Sequence, residues 1–223
     1  MEQLDRRARE RLEKADALIF DFDGTLAPNL DLPDMRRQVV DLTLGRGVPG
    51  EIFEHLYIVE IIEAAASWLR RRDRTSAADY HEAAHRLITE FELEAARNTE
   101  PFPATRTTLA TLRRNGKRLG VVTRNCSTAV RTVFSDIDVY IDAVLARDDV
   151  DFLKPDARHV RQALSVLDGT PERAAMIGDG RLDMHVGRDL GMTCVGVLTG
   201  SADADALLEA GAHIIVGALE ELL

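Results

Sequence analysis

Two carboxylates stand two residues apart at the end of an apolar run, Asp21 and Asp23 in Ile19-Phe20-Asp21-Phe22-Asp23-Gly24-Thr25-Leu26. Ionised Asp is poor in a strand and almost never fully buried without a partner, so this spacing asks for a cation or a reacting group beside it. Three further polar sets follow apolar runs: Thr123-Arg124-Asn125, Lys154-Pro155 and Gly178-Asp179-Gly180-Arg181-Leu182-Asp183. Each has an ordinary explanation alone. Thr123 would cap the helix starting near Ser127, Lys154 would be a surface lysine, and Asp179 and Asp183 would be a turn residue and a helix N-terminal acid. Together, four carboxylates, one lysine and one hydroxyl at strand ends make an oxygen-rich site beside a cation. That donor set suits Mg²⁺ better than zinc, because no Cys/His set accompanies it. Phosphate is its natural ligand: Mg²⁺ would offset the repulsion between carboxylates and a phosphoryl group, while Lys154 and Thr123 would neutralise or hydrogen-bond the phosphoryl oxygens.

These residues meet only if the elements that carry them align. Residues 17–22 read as a strand buried on both faces, the kind that parallel sheets contain. After Pro101-Phe102-Pro103, helices and strands alternate: helix 104–115, strand 118–123, helix 126–134, strand 142–146, helix 156–168, strand 174–178, helix 182–190, strand 192–198, helix 203–210 and strand 213–216. The alternation predicts an α/β fold, a Rossmann-like doubly wound parallel sheet with helices on both faces. Between these parts, the spacing predicts helices over 34–45, 50–72 and 77–97, broken at Gly45-Arg46-Gly47-Val48-Pro49-Gly50 and at 72–76. An α/β core of 1–30 and 101–223 with an inserted all-helical domain at 31–100 follows. In doubly wound sheets the ligand crevice lies beyond the carboxyl ends of the strands, where strand order reverses, so a block emerging there would act as a lid. Residues 2–14 alternate acids and bases and predict a solvated flanking helix.

Composition narrows the classes. With 45% hydrophobic and 30% charged residues in 223, the chain reads as an ordinary soluble protein with a sizeable core. A net charge of −10 disfavours the nucleic-acid backbone as a partner. Cys126 and Cys194 are far apart, which predicts neither a disulfide framework nor a thiolate zinc site and makes a reducing cytoplasm the simplest setting. No run of about 18 apolar residues predicts a membrane span, and the N-terminus lacks an apolar signal core.

At this point DFDGTL at 21–26, the strand-end Thr123, Lys154-Pro155 and the GDGRLD run at 178–183 together resemble the four ordered motifs of the haloacid dehalogenase-like hydrolase superfamily. The resemblance spans roughly residues 16–217, with 31–100 similar to the helical cap of the phosphoglycolate phosphatase-like branch. It implies strand order 3-2-1-4-5, with Asp21 as nucleophile forming an aspartyl-phosphate and Asp23 as general acid and then base. It also implies Mg²⁺ held by Asp21, the Asp23 backbone carbonyl and Asp179, with Asp183 supporting the metal shell. Thr123 and Lys154 would bind the phosphoryl group, together with backbone N–H groups near Phe22 and Arg124. An acid at position 23 favours a phosphate ester over a haloacid. The implied activity is a Mg²⁺-dependent phosphatase acting on a small phosphorylated metabolite, by a chain expected as a monomer or homodimer. A β-phosphoglucomutase-like phosphotransferase and a non-catalytic binding protein on the same fold are the rivals.

Arg124 stands where many relatives carry Asn, and Asn125 follows it; with Thr123 and Lys154 both are candidate substrate-binding residues. Arg124 would either reach a distal acid of the substrate or pair with an Asp at the surface. His81 and His85, four apart on one predicted helix face, have a metal-binding spacing, but with no third ligand legible they read as helix surface. Phe53, Tyr57 and Trp68 read as core of the helical block.

Overall fold

The computed structural model describes residues 2–30 and 32–223. The expected start of the insertion, Asp31, lies outside the described residues.

Four apolar residues, all buried, make the first strand, β1 (Ala17–Phe20), after helix α1 (Glu2–Lys14). The later alternation gives α5 (Thr105–Arg114), β2 (Arg118–Val122), α6 (Ser127–Val133), α7 (Ile137–Tyr140), β3 (Ala143–Leu145) and α8 (Ala157–Val166). It continues through β4 (Ala174–Gly178), α9 (Arg181–Asp189), β5 (Thr193–Val197), α10 (Ala204–Ala210) and β6 (Ile214–Val216). All strand pairings are parallel, and the sheet order is β3-β2-β1-β4-β5-β6. The sequence expectation of 3-2-1-4-5 holds, with β6 added at the edge. Ala17 and Ile19 pack into a cluster with Val160, Leu164 and Val186 of α8 and α9. Leu18 and Phe20 point the other way along the pleat and are equally buried, so both sheet faces are covered.

Strand order reverses between β1 and β4. The register pairs Phe20 with Val121 on one side and Ile177 on the other, so Asp21 leaves the sheet level with the ends of β2 and β4. The strand stops two residues sooner than the apolar run predicted, because Phe22 starts a tight turn in place of a ladder partner.

The chain divides into two compact units, one formed by residues before Leu30 with Ala96–Leu223, the other by Leu30–Ala95. The second contains α2 (Leu32–Gly45), α3 (Ile58–Arg70) and α4 (Arg74–Ala96). Its core includes Val39, Phe53, Ile62, Tyr80 and Ile88. The segment 50–72, expected to be helical, is divided: residues 50–52 form a 3₁₀ turn and α3 begins only at Ile58. Arg36 takes the carbonyls of Leu56 and Glu54 that a continuous helix would have used internally. Tyr57, expected in this core, is 49% exposed. The short α7 was not legible, as four residues are too few to show a helical period. No helix among the described residues is long and apolar enough to cross a membrane.

Candidate active site

The turn after β1 closes on one carbonyl. Phe22 O accepts from the amides of Thr25, Leu26 and Ala27 at 3.3, 2.8 and 3.1 Å, and Gly24 N–H donates to Ala27 O at 2.7 Å. Gly24 sits at φ 77°, where a side chain is strained. A Cβ there would also lie 2.4 Å from Asp179 Oδ2.

Asp21 is anchored to β4 by its amide, which donates to Ile177 O at 2.9 Å. Its Oδ1 accepts from Phe22 N–H at 2.6 Å and from Lys154 Nζ at 2.8 Å. Lys154, only 1% exposed, donates its other bond to Asp183 Oδ1 at 2.7 Å. Asp183 stands in the first turn of α9, where its Oδ2 accepts from Gly180 N–H at 3.1 Å. Asp179 follows β4 and is wrapped by donors. Its Oδ2 accepts from Ser201 N–H at 2.7 Å, Ser201 Oγ at 2.9 Å and Asn29 Nδ2 at 3.5 Å, and its Oδ1 accepts from Thr25 Oγ1 at 3.3 Å.

These positions decide the electrostatics. Burial, then the nearby Asp183, raise Asp21 to about 6 against the pull of Lys154. Asp179 is raised by burial and then by Asp21, and Asp183 by burial in excess of its attraction to Lys154. Burial opposes the charge on Lys154, yet Asp183 and Asp21 outweigh it and raise its pKa. Three carboxylates thus face one ammonium, and negative charge is in surplus.

Oxygens of Asp21, Asp179 and Asp183 all lie within 4.8 Å of one another. The walls around them lack Cβ atoms: one at Gly178 would lie 2.4 Å from Asp183, and one at Gly200 would lie 2.0 Å from Asp179. Hard oxygen donors, surplus negative charge and close glycine walls fit a small hard divalent cation such as Mg²⁺.

The other sequence-predicted residues gather at the same strand ends. Thr123, fully buried, follows β2; its amide donates to Leu145 O at 3.1 Å and its Oγ1 accepts from Asn125 N–H at 3.0 Å. The Asp23 carboxylate is held by Asn125, whose Nδ2 donates to both its oxygens at 3.2 Å. Asn125 Oδ1 in turn accepts from Cys126 N–H at 2.8 Å, which fixes the orientation of the amide. Arg124 has a use not expected from sequence: its guanidinium donates to the Lys154 carbonyl, bracing the lysine loop.

Several supporting residues were missed by sequence reading. Ser201 and Thr199 lie in Leu198-Thr199-Gly200-Ser201, a polar turn after an apolar run much like the others, and Thr199 Oγ1 donates to Gly24 O at 2.6 Å. That signal was available. His159 had none: it is fully buried on α8, accepts from Lys154 N–H at 3.2 Å on Nδ1 and bonds Leu145 O at 3.1 Å through Nε2. The pair fixes the neutral tautomer with the proton on Nε2. Lys154-Pro155 is a cis peptide.

A family model described as haloacid dehalogenase-like hydrolase matches residues 18–197. A phosphoglycolate phosphatase of Cupriavidus necator is 28% identical over 224 residues, covering 92% of this chain and 90% of that one. A pyrophosphatase PpaX of Bacillus cereus is 33% identical over 94 residues, 41% of this chain and 44% of its own length. Among solved structures, a hydrolase from Pseudomonas syringae has the same fold, with a TM-score of 0.69 and 19% identity over 93% of this chain and 95% of that one. Because the matched span opens inside β1, closes at the end of β5 and takes in Asp21 through Asp183, this chain belongs to the haloacid dehalogenase-like hydrolases and is an enzyme.

Proposed function

We propose that the chain is a Mg²⁺-dependent phosphatase that hydrolyses a small phosphomonoester through an aspartyl-phosphate on Asp21. The observation that carries this reading is the meeting of Asp21, Asp179 and Asp183 around the buried Lys154, with Asp23 held by Asn125 at the end of the neighbouring strand. Asp21, Asp179 and Asp183 would hold Mg²⁺ with the Asp23 carbonyl; when bound, the ion supplies positive charge that lets a phosphoryl group approach the carboxylates.

In the first step a carboxylate oxygen of Asp21 attacks phosphorus and the ester P–O bond breaks. Asp23, protonated, gives its proton to the leaving alkoxide. In the second step Asp23 takes a proton from water as that water attacks phosphorus; the acyl P–O bond breaks and inorganic phosphate leaves. Dividing one displacement into two and using one group for both proton transfers is the gain of covalent acid–base catalysis. Lys154 and the Thr123 hydroxyl donate to the phosphoryl oxygens. The helical unit, joined to the core after the Asp21–Ala27 turn, serves as the cap that selects the substrate.

The substrate class follows the phosphoglycolate phosphatase relative, which aligns over most of both chains; the pyrophosphatase aligns over less than half of either. The test is turnover of a panel of phosphomonoesters, phosphoglycolate and inorganic pyrophosphate among them, with and without Mg²⁺. Asp21→Asn is expected to lower kcat by about 10⁴ or more, and Asp23→Asn by about 10² to 10⁴. An acid-quenched reaction should carry phosphate on Asp21. Retained turnover in Asp21→Asn overturns the covalent route, and turnover that requires a sugar bisphosphate would reassign the chain to phosphotransferases.

A further inference from the structure

His81 and His85 lie one turn apart on α4, with ring centroids 4.3 Å apart. The third group that the sequence did not offer comes from another helix. Glu63 of α3 places its Oε1 2.8 Å from His81 Nε2 and 3.5 Å from His85 Nε2. One donor atom from each of the three residues lies within 4.8 Å of the others. We propose that Glu63, His81 and His85 form a transition-metal site of the Zn²⁺ type, independent of the active site, that ties α3 to α4 within the helical unit.

Geometry supports this first. A tetrahedral ion with ligand bonds of about 2.0–2.1 Å holds its ligand atoms roughly 3.3 Å apart. The two carboxylate–imidazole separations bracket that value. Two imidazoles four residues apart on a helix share one face, as in helical zinc motifs. Chemistry supports it next. Two imidazoles are borderline donors that, beside one carboxylate, favour Zn²⁺, Ni²⁺ or Cu²⁺ over Mg²⁺, whereas the donors of the core unit are all hard carboxylate oxygen. Side-chain exposures of 41%, 29% and 56% for His81, His85 and Glu63 leave the fourth position open to water.

The competing account is a hydrogen-bonded trio that binds no ion. Co²⁺ titration of the full-length protein in saturating Mg²⁺ separates the two. Expected are a single equivalent of Co²⁺ with the intense visible absorption of a four-coordinate site, its displacement by Zn²⁺, and a Zn²⁺-dependent rise in Tm. His81→Gln and His85→Gln should each weaken binding by at least about a hundredfold, since losing a ligand costs no less than losing its supporting contacts. His55→Gln, at an exposed histidine outside the trio, should leave it unchanged. These positions are partly exposed, so the variants should fold, and far-UV circular dichroism checks this. The proposal is overturned by absence of the Co²⁺ spectrum and the Tm rise, or by binding that survives in the His81→Gln/His85→Gln double variant.

Discussion

Asp23 and Asn125 show how one side chain sets the usefulness of another. Both oxygens of Asp23 accept from the Asn125 amide, and that amide is itself fixed by the Cys126 N–H. A general acid must point its proton at the leaving oxygen, so losing this hold should slow chemistry without removing the acid. Asn125→Ala is expected to lower kcat by about tenfold to a hundredfold, less than the loss from Asp23→Asn itself. Because both changes act on one group, their effects should not multiply in the double variant. Steady-state kinetics of the two single variants and the double variant check this, and fully multiplicative losses would separate Asn125 from Asp23.

At the scale of elements, the start of α8 is tied to the end of β3 and to the lysine loop by a single imidazole. His159 can bridge them only while neutral, with Nδ1 accepting from Lys154 and Nε2 donating to Leu145. Burial and then the charge of Lys154 lower its pKa from 6.5 to about 4. Between those values the unfolded chain binds a proton that the folded chain refuses, so this contribution to stability is fully present above pH 6.5 and is lost as pH falls toward 4. Urea unfolding should show the difference in stability between wild type and His159→Gln shrinking by about 2 kcal/mol from pH 7 to pH 5. An unchanged difference would mean that the imidazole is not held neutral.

For the molecule as a whole, the active-site charges oppose folding. Asp21 is raised to about 6, so ionising it at neutral pH costs stability, a cost absent below about pH 4 and complete above the folded value. Asparagine at this position keeps an acceptor for Lys154 and Phe22 N–H while removing one buried charge. Asp21→Asn should therefore be inactive yet more stable than wild type without metal, by about 1–2 kcal/mol at pH 7. Chemical denaturation in a chelator measures it, and a less stable variant would mean that pairing with Lys154 outweighs the repulsion. Adding Mg²⁺ should narrow the gap, because only wild type retains the full carboxylate set.

The sequence by itself determined the parallel alternation, the polar strand ends and the residues Asp21, Thr123, Lys154, Asp179 and Asp183, since strand periodicity and charges stranded after apolar runs are local signals. It did not reveal that Asn125 serves Asp23, that Arg124 braces the lysine loop, or that Ser201 and His159 hold Asp179 and Lys154 in place. It likewise offered His81 and His85 without Glu63. Apart from His159 and Lys154, which are 5 residues apart, those pairings join residues that meet only after the strands and helices pack, from the 18 positions between Glu63 and His81 to the 102 between Asp23 and Asn125. Spacing along a chain carries no information about such distances; the parallel register and the packing of helices on one another decide them.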